Sequence, residues 1–242
     1  MQRLTLLANR PIAEGLFELA FEKPADWSFK AGQFARLGLE TDGGDPVFRA
    51  YSIASAPEAD ELRFLVKCVT DGALSPRLTS MKPGEAAILE GPADGNLLPS
   101  RVPGGDTLWL MATGSGLAPF LAMTESESAV ADWQEVVIVI GARTRNEADG
   151  LKALAERRAR RPVTVLTATT REDSALTGRL PDLLSAGELE KAAQRPIDAD
   201  SARVLMCGNP GFTKSLRALL KTRDMVSPRF GKPGQVLVEA LW

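Results

Sequence analysis

The chain has 242 residues, 44% of them apolar and 25% charged, and a net charge of −2, an ordinary globular composition with no surface suited to a polyanion, so nucleic acid is not an expected partner. Histidine is absent and there are two cysteines, Cys68 and Cys207, which excludes histidine-based triads, most zinc sites and an iron–sulfur cluster held by this chain. No apolar run approaches the roughly 18 residues of a membrane span and no signal-peptide core opens the sequence, so a cytoplasmic protein of one large or two ordinary domains is expected.

Met1-Gln2-Arg3-Leu4-Thr5 leads directly into a strand. Residues 35–39, 62–69 and 85–90 read as further short strands, the last preceded by the turn Lys82-Pro83-Gly84-Glu85. Strands at this spacing predict a small antiparallel barrel over residues 1–98. Within it, Arg49-Ala50-Tyr51-Ser52 groups a guanidinium, an aromatic face and a hydroxyl. On an extended segment Arg49 and Tyr51 share a face and Ser52 takes the other. Such a set can clamp a pyrophosphate, stack a flat ring and offer a hydroxyl to its edge; an amphipathic strand with no ligand would read the same. A short helix is expected after Ser75, with the serine as N-cap and Pro76 at the first helical position. The two cysteines lie in apolar strand-like surroundings, which suggests reduced, mostly buried thiols.

From Leu98-Pro99-Ser100-Arg101-Val102-Pro103-Gly104-Gly105, a linker-like stretch, the pattern changes. Residues 107–112 form a continuous apolar strand, followed by the turn Thr113-Gly114-Ser115-Gly116 and a helix to about Ser128. Residues 136–140 form a second buried strand. A helix after Asp149 places Leu151, Leu154 and Ala155 on one face, with Lys152, Glu156, Arg157 and Arg160 outward. Strands at 163–167 and 204–207 and a helix over 212–222 continue the alternation, which predicts a doubly wound parallel α/β sheet over 99–242. Ligands of such a sheet bind beyond the carboxyl ends of its strands. There the glycine turn can bring backbone N–H groups to a pyrophosphate, although a plain strand–helix turn also contains glycines. Arg171 and Arg179 follow the next strand end, and a 2′-phosphate calls for arginine where NAD meets an acid. Glu172 and Asp173 offer the alternative of ordinary solvated pairing with Arg171.

In order, Ala31-Gly32-Gln33-Phe34, Arg49-Ala50-Tyr51-Ser52, Gly72-Ala73-Leu74-Ser75-Pro76, Gly114-Ser115-Gly116-Leu117-Ala118-Pro119 and Cys207-Gly208-Asn209-Pro210 resemble the ferredoxin–NADP+ reductase family, in its bacterial flavodoxin/ferredoxin branch. The resemblance spans about residues 32–242. It implies FAD on the barrel, NADP(H) on the sheet, and an oxidoreductase that passes hydride to or from NADP(H) and single electrons to or from a small ferredoxin or flavodoxin. Contact with that partner would be transient and the chain a monomer, with no membrane and no metal involved.

The same resemblance assigns Arg49, Ala50, Tyr51 and Ser52 to FAD, Leu65, Val66 and Lys67 to the strand bordering it, Gly72 and Ser75 to its diphosphate, and Leu74 to cofactor binding as well. Thr113, Gly114 and Gly116 would meet the pyridine nucleotide. Arg143 would sit on its phosphate side, and Arg171 and Arg179 would grip the 2′-phosphate. Cys207 and Gly208 would line the nicotinamide pocket, and Ser52, Cys207 and Glu239 are the catalytic candidates. A merely structural Cys207 is equally compatible with the sequence, and no neighbouring base suggests a nucleophile. Trp242 would cover the cofactor, on adenine or on isoalloxazine, because Leu241 departs from the aromatic residue common at that position. Two other readings stay open: a flavin reductase or oxygenase reductase component of the same superfamily, and a non-catalytic flavin- or nucleotide-binding regulator.

Overall fold

A computed structural model describes residues 1–40 and 44–240; the expectations for Leu241 and Trp242 fall outside the described residues. The first sheet contains β1 (Gln2–Ala13), β2 (Leu16–Glu22), β3 (Phe34–Leu39), β4 (Val47–Ser52), β5 (Glu61–Lys67) and, after the short helix α1 (Ser75–Ser80), β6 (Ala86–Asp94). Its spatial order is β4-β3-β6-β1-β2-β5, antiparallel throughout. The two edges meet just past β4, where Ile53 bridges Phe64 and the Ala54 amide donates to the Arg63 carbonyl at 2.7 Å. The predicted barrel is therefore a sheet rolled until its two edge strands touch at this one corner. Alternate residues fill it: Leu4 and Leu6, Leu19 and Phe21, Ala35 and Leu37, Leu62 and Phe64, Ala87 and Leu89.

The second sheet is parallel, in the order β11 (Val236–Ala240), β10 (Ala202–Gly208), β7 (Thr107–Thr113), β8 (Glu135–Ala142), β9 (Thr164–Thr169). Its helices are α2 (Ala118–Glu125), α3 (Arg145–Arg158), α4 (Leu180–Ser185), α5 (Glu188–Ala193) and α6 (Pro210–Lys221). The chain runs outward through β7, β8 and β9, then returns to lay β10 on the other side of β7. The switch point thus falls between β7 and β10, where such sheets bind ligands. Helix α2 is buried from Ala118 to Thr124 because it is sandwiched between this sheet and the barrel.

Several expectations are corrected. Ser75 is not the N-cap of α1: its Oγ accepts from the Val69 amide at 3.0 Å, which pins the preceding turn rather than the helix. Helix α2 stops at Glu125, short of Ser128. Helix α3 starts before Asp149, at Arg145, because the Thr144 hydroxyl caps it by accepting from the Glu147 amide. Strand β2 was not legible, since Leu19 and Phe21 face the barrel core, Leu16 faces the sheet half, and Glu18 is buried as well. Helices α4 and α5, six residues each, were also missed. Cys207 is buried but Cys68 only half so, and both are free. Among the described residues no helix is long and apolar enough to cross a membrane, and no cluster of acidic or thiol side chains could hold a metal.

Candidate functional site

Ser52 ends β4, Cys207 lies near the carboxyl end of β10, and Glu239 lies near that of β11. The parallel register sets Cys207 beside Glu239 on neighbouring strands. The Ser52 hydroxyl then crosses from the barrel and donates to Glu239 Oε1 at 2.8 Å, and the Cys207 thiol points at the same oxygen from 3.9 Å. Burial raises the pKa of the Glu239 carboxyl, against the opposing hydrogen bonds from Ser52 and Cys207. Burial, then the Glu239 charge, pushes the Cys207 thiol well above its ordinary value. A protonated thiol is a poor nucleophile, so the trio can orient a ring and hold a proton but is not arranged for covalent attack.

Two glycines explain how β7 and β10 end so close together. A Cβ on Gly116 would lie 2.2 Å from the Cys207 carbonyl oxygen, and one on Gly208, at φ +146°, would lie 2.1 Å from Thr113 Oγ1. The Thr113 hydroxyl also accepts from the Asn209 amide at 3.0 Å, and the Asn209 side chain caps α6. Gly116 therefore serves the crossing of the two turns. Gly114, at φ +54°, is the glycine whose missing side chain leaves space, its nearest neighbour being Glu147 Oε1 at 3.7 Å.

Arg143 follows β8, Arg171 follows β9, and Arg179 immediately precedes α4. The Arg171 amide donates to the Arg143 carbonyl at 3.0 Å, and the Gly178 amide donates to the Thr169 carbonyl at 2.8 Å, which ties the three loops together at one end of the sheet. All three side chains are exposed and form no ion pair with a described residue. Glu172 bonds the Arg145 amide at 2.7 Å instead of neutralising Arg171. On the barrel side Arg49 is exposed, its one side-chain bond going to the neighbouring Phe48 carbonyl. Ala50 is exposed too, and Tyr51 packs half-buried on the barrel core. Burial pushes the Tyr51 phenol up to about 12 against the opposing charge of Arg49.

The remaining candidates are placed differently from one another. Leu65, Val66 and Leu74 are buried in apolar clusters, so they could meet a ligand through backbone alone. Lys67 turns its ammonium to the Glu14 carbonyl at 2.8 Å. Gly72 and Ser75 form one compact turn, the Gly72 amide donating to the Val69 carbonyl at 2.8 Å. No local sequence pattern marked the ionic cluster between the two sheets, in which the buried Glu18 and Arg158 meet the half-buried Arg63 and Glu125. Glu125, the one charge on its helix, was the available signal.

The family described as oxidoreductase FAD-binding domain matches residues 11–97, and that described as oxidoreductase NAD-binding domain matches residues 110–218. The flavodoxin/ferredoxin–NADP reductases of Shigella flexneri and Escherichia coli are each 36% identical over 234 residues, which covers 95% of this chain and 94% of theirs. A ferredoxin NADP+ reductase from Neisseria gonorrhoeae, solved with bound FAD and NADP, superposes with a TM-score of 0.91 at 31% identity, over 99% of this chain and 98% of that one.

Proposed function

The chain belongs to the flavodoxin/ferredoxin–NADP reductase family, and we propose that it exchanges hydride with NADP(H) and single electrons with a small ferredoxin or flavodoxin by means of FAD. The observation that carries this reading is the meeting of Ser52, from the barrel, with Cys207 and Glu239, from the sheet, at the switch point between β7 and β10.

The donor sets suit both cofactors. An exposed guanidinium at Arg49 beside the half-buried ring of Tyr51 suits a diphosphate and a flat ring on the barrel. Arg143, Arg171 and Arg179, exposed and without an ion pair among the described residues, suit a nucleotide carrying an extra phosphate. FAD, when bound, supplies the conversion between two-electron and one-electron chemistry. The chain's own residues supply placement: the Ser52 hydroxyl donates to Glu239 and keeps its oxygen for a ring edge, and the buried Cys207 thiol points at the same carboxylate oxygen. Gly116 and Gly208 let this meeting form by allowing β7 and β10 to end side by side. Stacking the two rings here and excluding water is the catalytic work. We place the boundary between the FAD and NADP portions at residues 98 and 99, and propose a cytoplasmic monomer that meets its acceptor transiently.

The protein should purify yellow with stoichiometric FAD, bleach on anaerobic NADPH addition, and recover colour on addition of an oxidised ferredoxin or flavodoxin. A colourless protein that fails to take up FAD removes the reading. Losing one charge-assisted hydrogen bond costs about 1.5–3 kcal/mol, or about 10- to 150-fold in affinity. Arg171→Ala and Arg179→Ala should each raise KM for NADPH by that factor and leave KM for NADH nearly unchanged. Equal weakening of both nucleotides would mean these arginines do not read the 2′-phosphate.

A further inference from the structure

The seam between barrel and sheet contains charges that the chemistry above leaves unused. Arg158, the last residue of α3, is buried there. Its Nη1 donates to Glu18 Oε1 at 2.8 Å, its Nε to Glu125 Oε1 at 3.3 Å, and its Nη2 to the Ala54 carbonyl at 2.5 Å and to Glu125 Oε2. Glu125, the last residue of α2, accepts from the Ala56 amide at 2.9 Å and from Arg63 Nη1 at 2.9 Å. At the rim Arg63 pairs with Glu61 at 2.8 Å and Arg10 with Glu18 at 3.4 Å. Arg10, Arg63 and Arg158 thus balance Glu18, Glu61 and Glu125.

Two of these bonds reach the backbone just beyond Ser52. The barrel holds that stretch through the Ile53 amide, which donates to the Gln33 carbonyl at 2.9 Å, through the Ala54 amide on the Arg63 carbonyl, and through the Ser55 hydroxyl, which accepts from the Arg63 amide at 3.1 Å. The Ala54 carbonyl and the Ala56 amide are left to the sheet half, and Arg158 and Glu125 take them. The helix that ends in Glu125 follows directly from the glycine turn after β7. Ser52 is thereby held from its far side by Glu239 and from downstream by α2 and α3.

We propose that Glu125 and Arg158 are positioning residues for hydride transfer, setting the place of Ser52, and of the ring it orients, relative to Cys207 and Glu239. The proposal rests on the function given above. Buried ion pairs contribute little net stability compared with apolar packing of the same volume, so cohesion alone does not call for this cluster. What an apolar seam lacks is direction: dispersion contacts tolerate sliding, whereas hydrogen bonds to one carbonyl and one amide permit one register.

The test uses the FAD-loaded protein with Glu125→Gln, Arg158→Lys, and a triple Glu18→Leu/Glu125→Leu/Arg158→Met that removes Arg158 together with both of its carboxylate partners and leaves Arg63 paired with Glu61. Single-turnover flavin reduction by NADPH should slow about 10- to 100-fold in each, the effect of a misplacement near 1 Å. FAD content and the Kd for NADP+ should stay near the wild-type values. Amide hydrogen exchange over residues 53–56, measured without nucleotide, should quicken. If the single variants fail to fold, the triple, which leaves no unpaired buried charge, carries the test. A folded triple that is reduced at the wild-type rate overturns the proposal, as does slowing that merely tracks lost FAD. Wild-type protein that NADPH cannot reduce overturns the underlying function instead.

Discussion

Glu239 and Glu125 are both half-buried, yet their environments push them in opposite directions. Burial raises the pKa of Glu239, against the opposing hydrogen bonds from Ser52 and Cys207. For Glu125 burial also acts upward, but the hydrogen bonds and charge of Arg158, the Ala56 amide and Arg63 outweigh it and lower the value. The linkage signs follow. Glu239 binds its proton more tightly folded than unfolded, so its contribution to stability is complete below the ordinary value of 4.5 and is lost as pH rises through the folded value. Glu125 contributes above 4.5 and loses that contribution as pH falls through its lower folded value. Glu239→Gln should therefore flatten the decline of stability from mild acid toward neutrality, read by urea denaturation across pH, while Glu125→Gln should flatten the decline on the acid side. Curves parallel to wild type for either variant would show that the carboxyl does not titrate differently on folding.

Helix α3 joins the carboxyl end of the parallel strands to the seam. Thr144 caps its start beside Arg143, and Arg158 closes its end in the ionic cluster. Midway, Gly150 lies so near β1 that an added Cβ would be 2.3 Å from the Ile12 carbonyl oxygen. Replacing glycine by alanine inside a helix ordinarily gains about 1 kcal/mol. Gly150→Ala should do the reverse here, because the methyl group drives α3 off the barrel and carries Arg158 with it. Denaturant titration of the variant checks the sign; a stabilised Gly150→Ala protein would mean the helix and β1 are not in such close contact. At Gly187 a positive φ of +73° with open space around it marks a different use of glycine, as a chain reversal between α4 and α5.

Across the whole molecule the barrel keeps its own core, but Leu16, Ala31, Ala54, Leu65 and Leu97 belong to the same apolar cluster as Leu110, Phe120, Leu154 and Leu205 of the sheet half. Separating residues 1–98 from 99–242 would expose both sides of that cluster together with the charges of the seam. The FAD-bound protein should accordingly melt in one calorimetric transition with matching van't Hoff and calorimetric enthalpies. Two resolved transitions would show that the halves unfold independently despite the shared cluster.

The short punctuated strands before residue 98 and the continuous apolar strands after it were enough to indicate an antiparallel barrel followed by a parallel sheet, because periodicity and turn residues are local properties of the chain. The same local signals marked the Arg49–Ser52 stretch and the glycine turns as places where a phosphate or a ring could approach. Only the folded chain brought Ser52 to Glu239 across 187 residues of sequence, and only there did Gly116 acquire Cys207 as the reason for its missing side chain. Arg158, beside Arg157 near the end of a charged helix, was indistinguishable in the sequence from its solvated neighbours. A helical period states which residues share a face but not what covers that face. The partner of a buried charge lies at a distance along the chain that no local pattern encodes, and so tertiary packing decided the seam and the geometry of the site.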